Sequence, residues 1–145
     1  MKINKKSLAV AVLATLTIAC TSKEEAAEKY FGSGKDHFES AEYDRARVQF
    51  RNVLQIDPNE AEAYFYLGLI AEKDQLWRQM FGFMQKTADT DKTHIGAKIK
   101  LAQLRVLAQE SDAARELLEE VATLDPNNSD AEILRASLSL IAEDL

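Results

Sequence analysis

An all-α fold, built from a two-helix unit repeated about three and a half times, is what this sequence predicts, and three observations predict it. The first is a recurrence every 34 positions. Stepping by that interval aligns Tyr30 with Tyr64, and Gly34 with Gly68, Ala102 and Ala136. It also aligns Ala46 with Met80 and Ala114, Phe50 with Met84 and Leu118, and Pro58 with Lys92 and Pro126. The second is helical spacing inside the unit: Tyr30, Gly34 and Phe38 fall on one stripe, and Ala46, Phe50, Val53 and Leu54 on another. The third is composition. A chain of 145 residues that is 46% hydrophobic, with two prolines and five glycines, suits a packed helical domain rather than a disordered one.

The N-terminus has to be set apart first. Lys2, Lys5 and Lys6 precede an apolar run from Leu8 to Ala19, a charged n-region and an h-region too short to span a hydrocarbon core of ~30 Å. Residues 1–19 are therefore expected to be a signal peptide. The sole cysteine, Cys20, follows in the string LTIAC. A lone cysteine forms no intramolecular disulfide, so the residues leave a spare thiol behind a cleaved signal, a cysteine in an uncleaved anchor, or a modified one. The string resembles the lipobox of bacterial lipoproteins, with Ala19 before the cysteine and Thr17 where that family usually has leucine. The resemblance implies a lipid on Cys20 as the mature N-terminus. Thr21, in place of the aspartate that retains such proteins in the inner membrane, implies outer-membrane, periplasm-facing attachment, with a soluble periplasmic product as the alternative. More than one acyl chain would hold firmly, since each buried methylene contributes about 0.8 kcal/mol.

Removing Lys2, Lys5 and Lys6 from 18 basic residues against 24 acidic ones leaves a mature formal charge of −9. That balance argues against nucleic acid and against a polybasic membrane patch. Residues 20–26 then form a short tether, and Ser22 followed by Glu25 has the spacing of a capping box opening the first helix.

Each repeat can be justified in turn. In residues 27–60, Ser40 to Asp44 interrupts the helical pattern, and Asp57, Pro58 and Asn59 end the second helix, because proline lacks an amide hydrogen and biases its predecessor away from helical angles. Gly34 and Ala46 are small where two helices approach, and Phe50 fills the space between them. Residues 61–94 carry Tyr64, Leu67 and Gly68, then Met80, Met84, Thr87 and Lys92. Residues 95–128 carry Leu101, Ala102, Ala114, Leu118, Val121 and Pro126, with Lys98 in the aromatic position. Ser129 is the expected N-cap of a partial fourth unit, 129–145. There Ile133, Leu134, Leu138, Leu140 and Ile141 spread around the helix, as though it expects another neighbour.

These residues resemble the tetratricopeptide repeat over positions 27–145. The resemblance implies a right-handed α-solenoid of antiparallel helix pairs, a non-catalytic role, and protein or peptide binding along the face lined by the first helix of each pair. Carried over position by position, that face takes in Phe31, Lys35, Phe38, Phe65, Leu69, Ile99, Gln103 and Val106. Its apolar middle and acidic rim would suit an extended or helical peptide with hydrophobic anchors and some basic residues. The carboxylate clamp of chaperone-binding relatives falls on Phe31, Lys35, Tyr66, Gly96 and Lys100, only two of them cationic. Capture of a terminal carboxylate is therefore not expected. Envelope lipoproteins with this layout resemble components of exopolysaccharide export, of the exosortase-associated system, and pilotins.

Trp77, Met80, Phe81, Phe83 and Met84 cluster on one helix. Trp77, Met80 and Met84 are expected in the core, and Phe81 with Phe83 form a possible second surface, since all five cannot face inward. His37 and His94 lack the paired spacing of a metal site, and each is expected to be structural. No phosphate-cradling glycine loop is present, and no cofactor is expected. The leading expectation is an envelope scaffold that binds protein partners. The alternative is the N-terminal recruiting module of a longer envelope enzyme.

Overall fold

The computed structural model describes residues 5–143, with side chains over residues 22–141. Met1–Asn4 of the expected signal, and the side chains of the rest of that segment and of Cys20, lie outside the described residues. Seven helices and no strands make up the described part, in two compact units, Met1–Asn59 and Glu60–Leu145. The all-α class and the pairing of successive helices hold.

The first unit contains α1 (Lys5–Glu39) and α2 (Tyr43–Ile56), packed on one another. Ser22 lies inside α1 rather than at its start, which corrects the expected capping box. The cause is upstream: residues 5–21 hold no proline or glycine to stop a helix, so the backbone continues through the tether positions. Ala46, Phe50 and Val53 of α2 are buried. Gly34 lets the ring in: a Cβ there would stand 2.8 Å from Phe50 Cε1.

The second unit contains α3 (Ala61–Lys73), α4 (Trp77–Thr90), α5 (Ile95–Leu107), α6 (Ser111–Leu124) and α7 (Ser129–Glu143). α3 pairs with α4, α5 with α6, α4 also meets α5, and α7 packs on α6 and α5. Two apolar clusters result. One holds Ala71, Met80, Met84, Ala88, Ala97 and Leu101, and the other Ile99, Ala102, Ala114, Leu118, Val121, Ala131 and Leu138. The register positions Phe50, Met84 and Leu118 are each 0% exposed, so the core repeats where the sequence repeats. Thr87, at the position of Val53 and Val121, is buried without cost to its hydroxyl, which donates to the Phe83 carbonyl at 2.9 Å.

The turns repeat as well. α1, α3 and α5 each end with a residue in the left-handed region, Ala41, Gln75 and Gln109, at φ 58°, 58° and 61°. The amide of each next residue reaches back to a helix carbonyl: Glu42 to His37, Leu76 to Ala71 and Glu110 to Arg105, at 2.8 to 2.9 Å. This double-bonded helix end usually carries glycine, and here three ordinary residues hold it. The opposite ends use aspartate. Asp57, Asp91 and Asp125 accept through Oδ1 from the amides of Asn59, Thr93 and Asn127, two residues on. Asp91 therefore stops α4 where Lys92 has replaced proline.

The helices that open each repeat in the second unit are capped by side chains in register: Glu60 Oε1 accepts from the Glu62 amide, His94 Nδ1 from Ala97, and Asn128 Oδ1 from Ala131. The cap of α7 is thus Asn128, and Ser129 is its first helical residue, which corrects the expected cap. An amide oxygen at position 128 reaches the third amide of the helix, so the serine beside it is already inside the first turn. On α7, Leu138 is buried, while Ile133 is 67% and Leu140 64% exposed; Ile99, the counterpart of Ile133 on α5, is 6% exposed. Among the described residues no helix is long and apolar enough to cross a membrane.

Candidate functional site

In the first unit, Phe31 and Phe38 are both drawn into aromatic contacts with α2. Phe31 meets Phe50 edge-on, ring centroids 5.7 Å apart, and Phe38 meets Tyr43 at 5.6 Å. Their rings thus share in packing α1 on α2 while staying half-buried, as does Lys35. His37, in the turn below, donates from Nδ1 to Glu42 Oε2 at 2.6 Å. That hydrogen bond, followed by those from Arg45, holds the Glu42 carboxyl below its usual range. His37 is structural in this arrangement.

In the second unit, α3 and α5 bring together the other expected positions. Phe65 and Leu69 are half-buried, their inner edges against the cluster that contains Met80 and Met84. Gly96 makes room for the phenyl ring, since a Cβ there would stand 3.0 Å from Phe65 Cζ. His94 lies against the same ring, tilted by 47° with centroids 4.5 Å apart. Gln103 and Val106 are half-buried on α5, but Ile99 belongs to the core with Leu118 and offers little surface.

Two α5 side chains meet carboxylates of α3. Lys100 Nζ donates to both oxygens of Glu72, at 2.7 and 2.8 Å, with each side chain about a quarter exposed. His94 Nε2 lies 3.3 Å from Glu62 Oε1 without hydrogen-bonding geometry, and it has no other partner in the structure. Because Nδ1 accepts from the Ala97 amide, Nε2 is the ring nitrogen that carries the proton in this arrangement. Neither contact was readable in the sequence beforehand. The pairs lie 28 and 32 residues apart, off the 34-residue period, so the repeat register did not single them out.

The possible second surface is distributed differently from expectation. Phe81 and Phe83 are both half-buried against the α3–α5 cluster, and Phe81 is covered by the Arg105 guanidinium at 5.0 Å. Trp77 is instead 50% exposed beside Leu76 at 42%. Trp77 is the first residue of α4, one turn before the buried Met80. Lys98 is 6% exposed and ion-paired with Glu120, which accounts for a charge in the aromatic position. Among the described residues no three His, Cys, Asp or Glu side chains are grouped to hold a metal.

A family model described as TPR repeat matches residues 34–75. Among solved structures, the first TPR of Spaghetti (RPAP3) bound to the HSP90 peptide SRMEEVD superposes with a TM-score of 0.74 at 17% identity, covering 82% of this chain and 94% of that one. The Arabidopsis OM64 TPR domain gives 0.73 at 16% identity, covering 81% and 97%. The fold is therefore that of the tetratricopeptide-repeat proteins. Among curated proteins, anaphase-promoting complex subunit 3 of Schizosaccharomyces pombe is 22% identical over 105 residues, 72% of this chain. The chain spans 16% of that relative's length.

Proposed function

We propose that this chain is a non-catalytic scaffold, lipid-anchored through Cys20 in a bacterial envelope, that holds a protein partner for the export or assembly of surface polysaccharide, surface protein or pili. The observation that carries the binding role is the half-buried pair Phe65 and Leu69 on α3, set on a rigid core and bordered by the carboxylates Glu62 and Glu72. A face of this kind supplies apolar contact area at low ordering cost and polar groups that fix register. The anchoring role rests on the string LTIAC behind a charged and then apolar leader. The neighbours' acidic peptide partner does not transfer directly: Lys100, the second-unit cation in a clamp position, is already bound to Glu72.

Both halves can be tested in the full-length protein. Cys20→Ser should move it from the membrane fraction to the soluble fraction and abolish palmitate labelling; unchanged labelling and fractionation would exclude the anchor. Phe65→Ala with Leu69→Ala should reduce capture of the envelope partner about tenfold or more in a pull-down, with helical circular dichroism retained. Equal capture by the double variant would remove this face from the binding role.

A further inference from the structure

We infer that the inner face of the second unit selects an internal, extended peptide segment carrying two basic residues about four positions apart around an apolar one, rather than a free acidic C-terminus. The inference rests on the scaffold reading and adds the chemistry of the partner.

It follows from one stripe of α3. Glu62, Phe65, Leu69 and Glu72 succeed one another at intervals of three, four and three residues, the spacing of a helix face. Contacts place both carboxylates toward α5, Glu62 against His94 and Glu72 against Lys100. Ten residues of α-helix separate them, about 15 Å along the axis. An extended chain covers that distance in four or five residues at ~3.3 Å each. The two aromatic and aliphatic side chains lie between the acids, where a single apolar side chain of such a segment would rest.

Charge decides the polarity. Of the side chains that α3 and α5 bring into contact here, two are carboxylates, Glu62 and Glu72, and one is an ammonium, Lys100, so the carboxylates outnumber the ammonium. Lys100 is held by both oxygens of Glu72, and Lys98 faces Glu120. A ligand carboxylate would have to displace Glu72 from Lys100. A ligand guanidinium needs no displacement, because a carboxylate has about four acceptor positions and Lys100 fills two. Glu62 has its side chain half exposed.

The test uses the full chain and synthetic peptides read by fluorescence anisotropy. One peptide is an acetylated and amidated nonamer of alanines with arginine at its third and seventh positions and leucine at its fifth. The other replaces both arginines with glutamate and ends in a free carboxylate. The arginine peptide should bind, should weaken at least fivefold in the Glu62→Gln, Glu72→Gln double variant, and should weaken further with salt. Tighter binding of the glutamate peptide, or equal binding of the arginine peptide by the double variant, overturns the inference. Failure of both peptides, with partner capture still dependent on Phe65 and Leu69, overturns it while leaving the scaffold reading intact. Unchanged helical circular dichroism of the double variant separates lost recognition from lost folding.

Discussion

At the scale of single residues, the chain is organised by small polar groups at helix ends. Asp91 accepts from the Thr93 hydroxyl at 2.7 Å and from its amide at 2.8 Å, and these bonds hold its carboxyl below the usual aspartate range. A carboxyl depressed in the folded state contributes stability that is present above its unfolded pKa and disappears as pH falls through the folded one. Asp91→Asn should therefore lower the thermal midpoint at neutral pH, and the difference from the parent should shrink as the pH falls below the ordinary aspartate value of ~3.9, in paired melts at neutral and acid pH. The three left-handed residues make the opposite kind of prediction. An L-residue there carries roughly 1–2 kcal/mol of strain, and glycine would return part of that gain through a freer unfolded chain. Gln75 is exposed and makes its turn through backbone bonds alone. Gln75→Gly should raise stability by about 0.5 kcal/mol, measured by urea unfolding.

At the scale of helices, the contact between paired elements was largely legible in the sequence, and the reason is volume. Ala46, Met80 and Ala114 recur with Phe50, Met84 and Leu118 because one helix pair repeats one packing problem, and all six are buried. What was not legible was which half-buried ring turns inward. Phe31 and Phe38 read as free binding positions, yet each lies against an aromatic ring of α2, whereas Trp77 read as core and is half exposed. Periodicity assigns a face but not the share of that face a neighbouring helix covers. The caps were hidden for a related reason: Glu60 and His94 are poor caps by type, and only the geometry of their turns brings their side chains onto free amides. The glycines separate two kinds of close approach. At Gly34 the opposing atom belongs to a rigid ring, Phe50 Cε1 at 2.8 Å, whereas at Gly68 it is the terminal methyl of Met84 at 2.6 Å. Gly34→Ala should destabilise by about 1–3 kcal/mol, and Gly68→Ala by less, since the thioether can swing aside. Chemical denaturation of the two variants would check the order.

At the scale of the whole molecule, the two compact units are each held by their own buried residues, and the second has the larger core. Leu118 is 0% exposed and sits in the cluster shared by α5, α6 and α7. Leu118→Ala should cost about 2–5 kcal/mol and should expose the amides of those three helices to hydrogen exchange ahead of the amides of α2. The repetition that made the fold readable also conceals a difference in charge between equivalent places. In the second repeat Lys86 lies 5.7 Å from the Tyr64 ring centroid; one period later the same two positions are Glu120 and Lys98, joined as an ion pair. Both solutions are stable, but they are not interchangeable. A chimera that set the α5 sequence against the α4 sequence would bring Lys98 toward Lys86, two ammonium groups at positions that otherwise pair a cation with a ring or with a carboxylate. The reverse exchange would turn a carboxylate toward the face of a phenol. Lock-and-key matching of this kind ties α3 to α4 and α5 to α6, so these two pairs behave as words in a fixed order rather than as identical bricks.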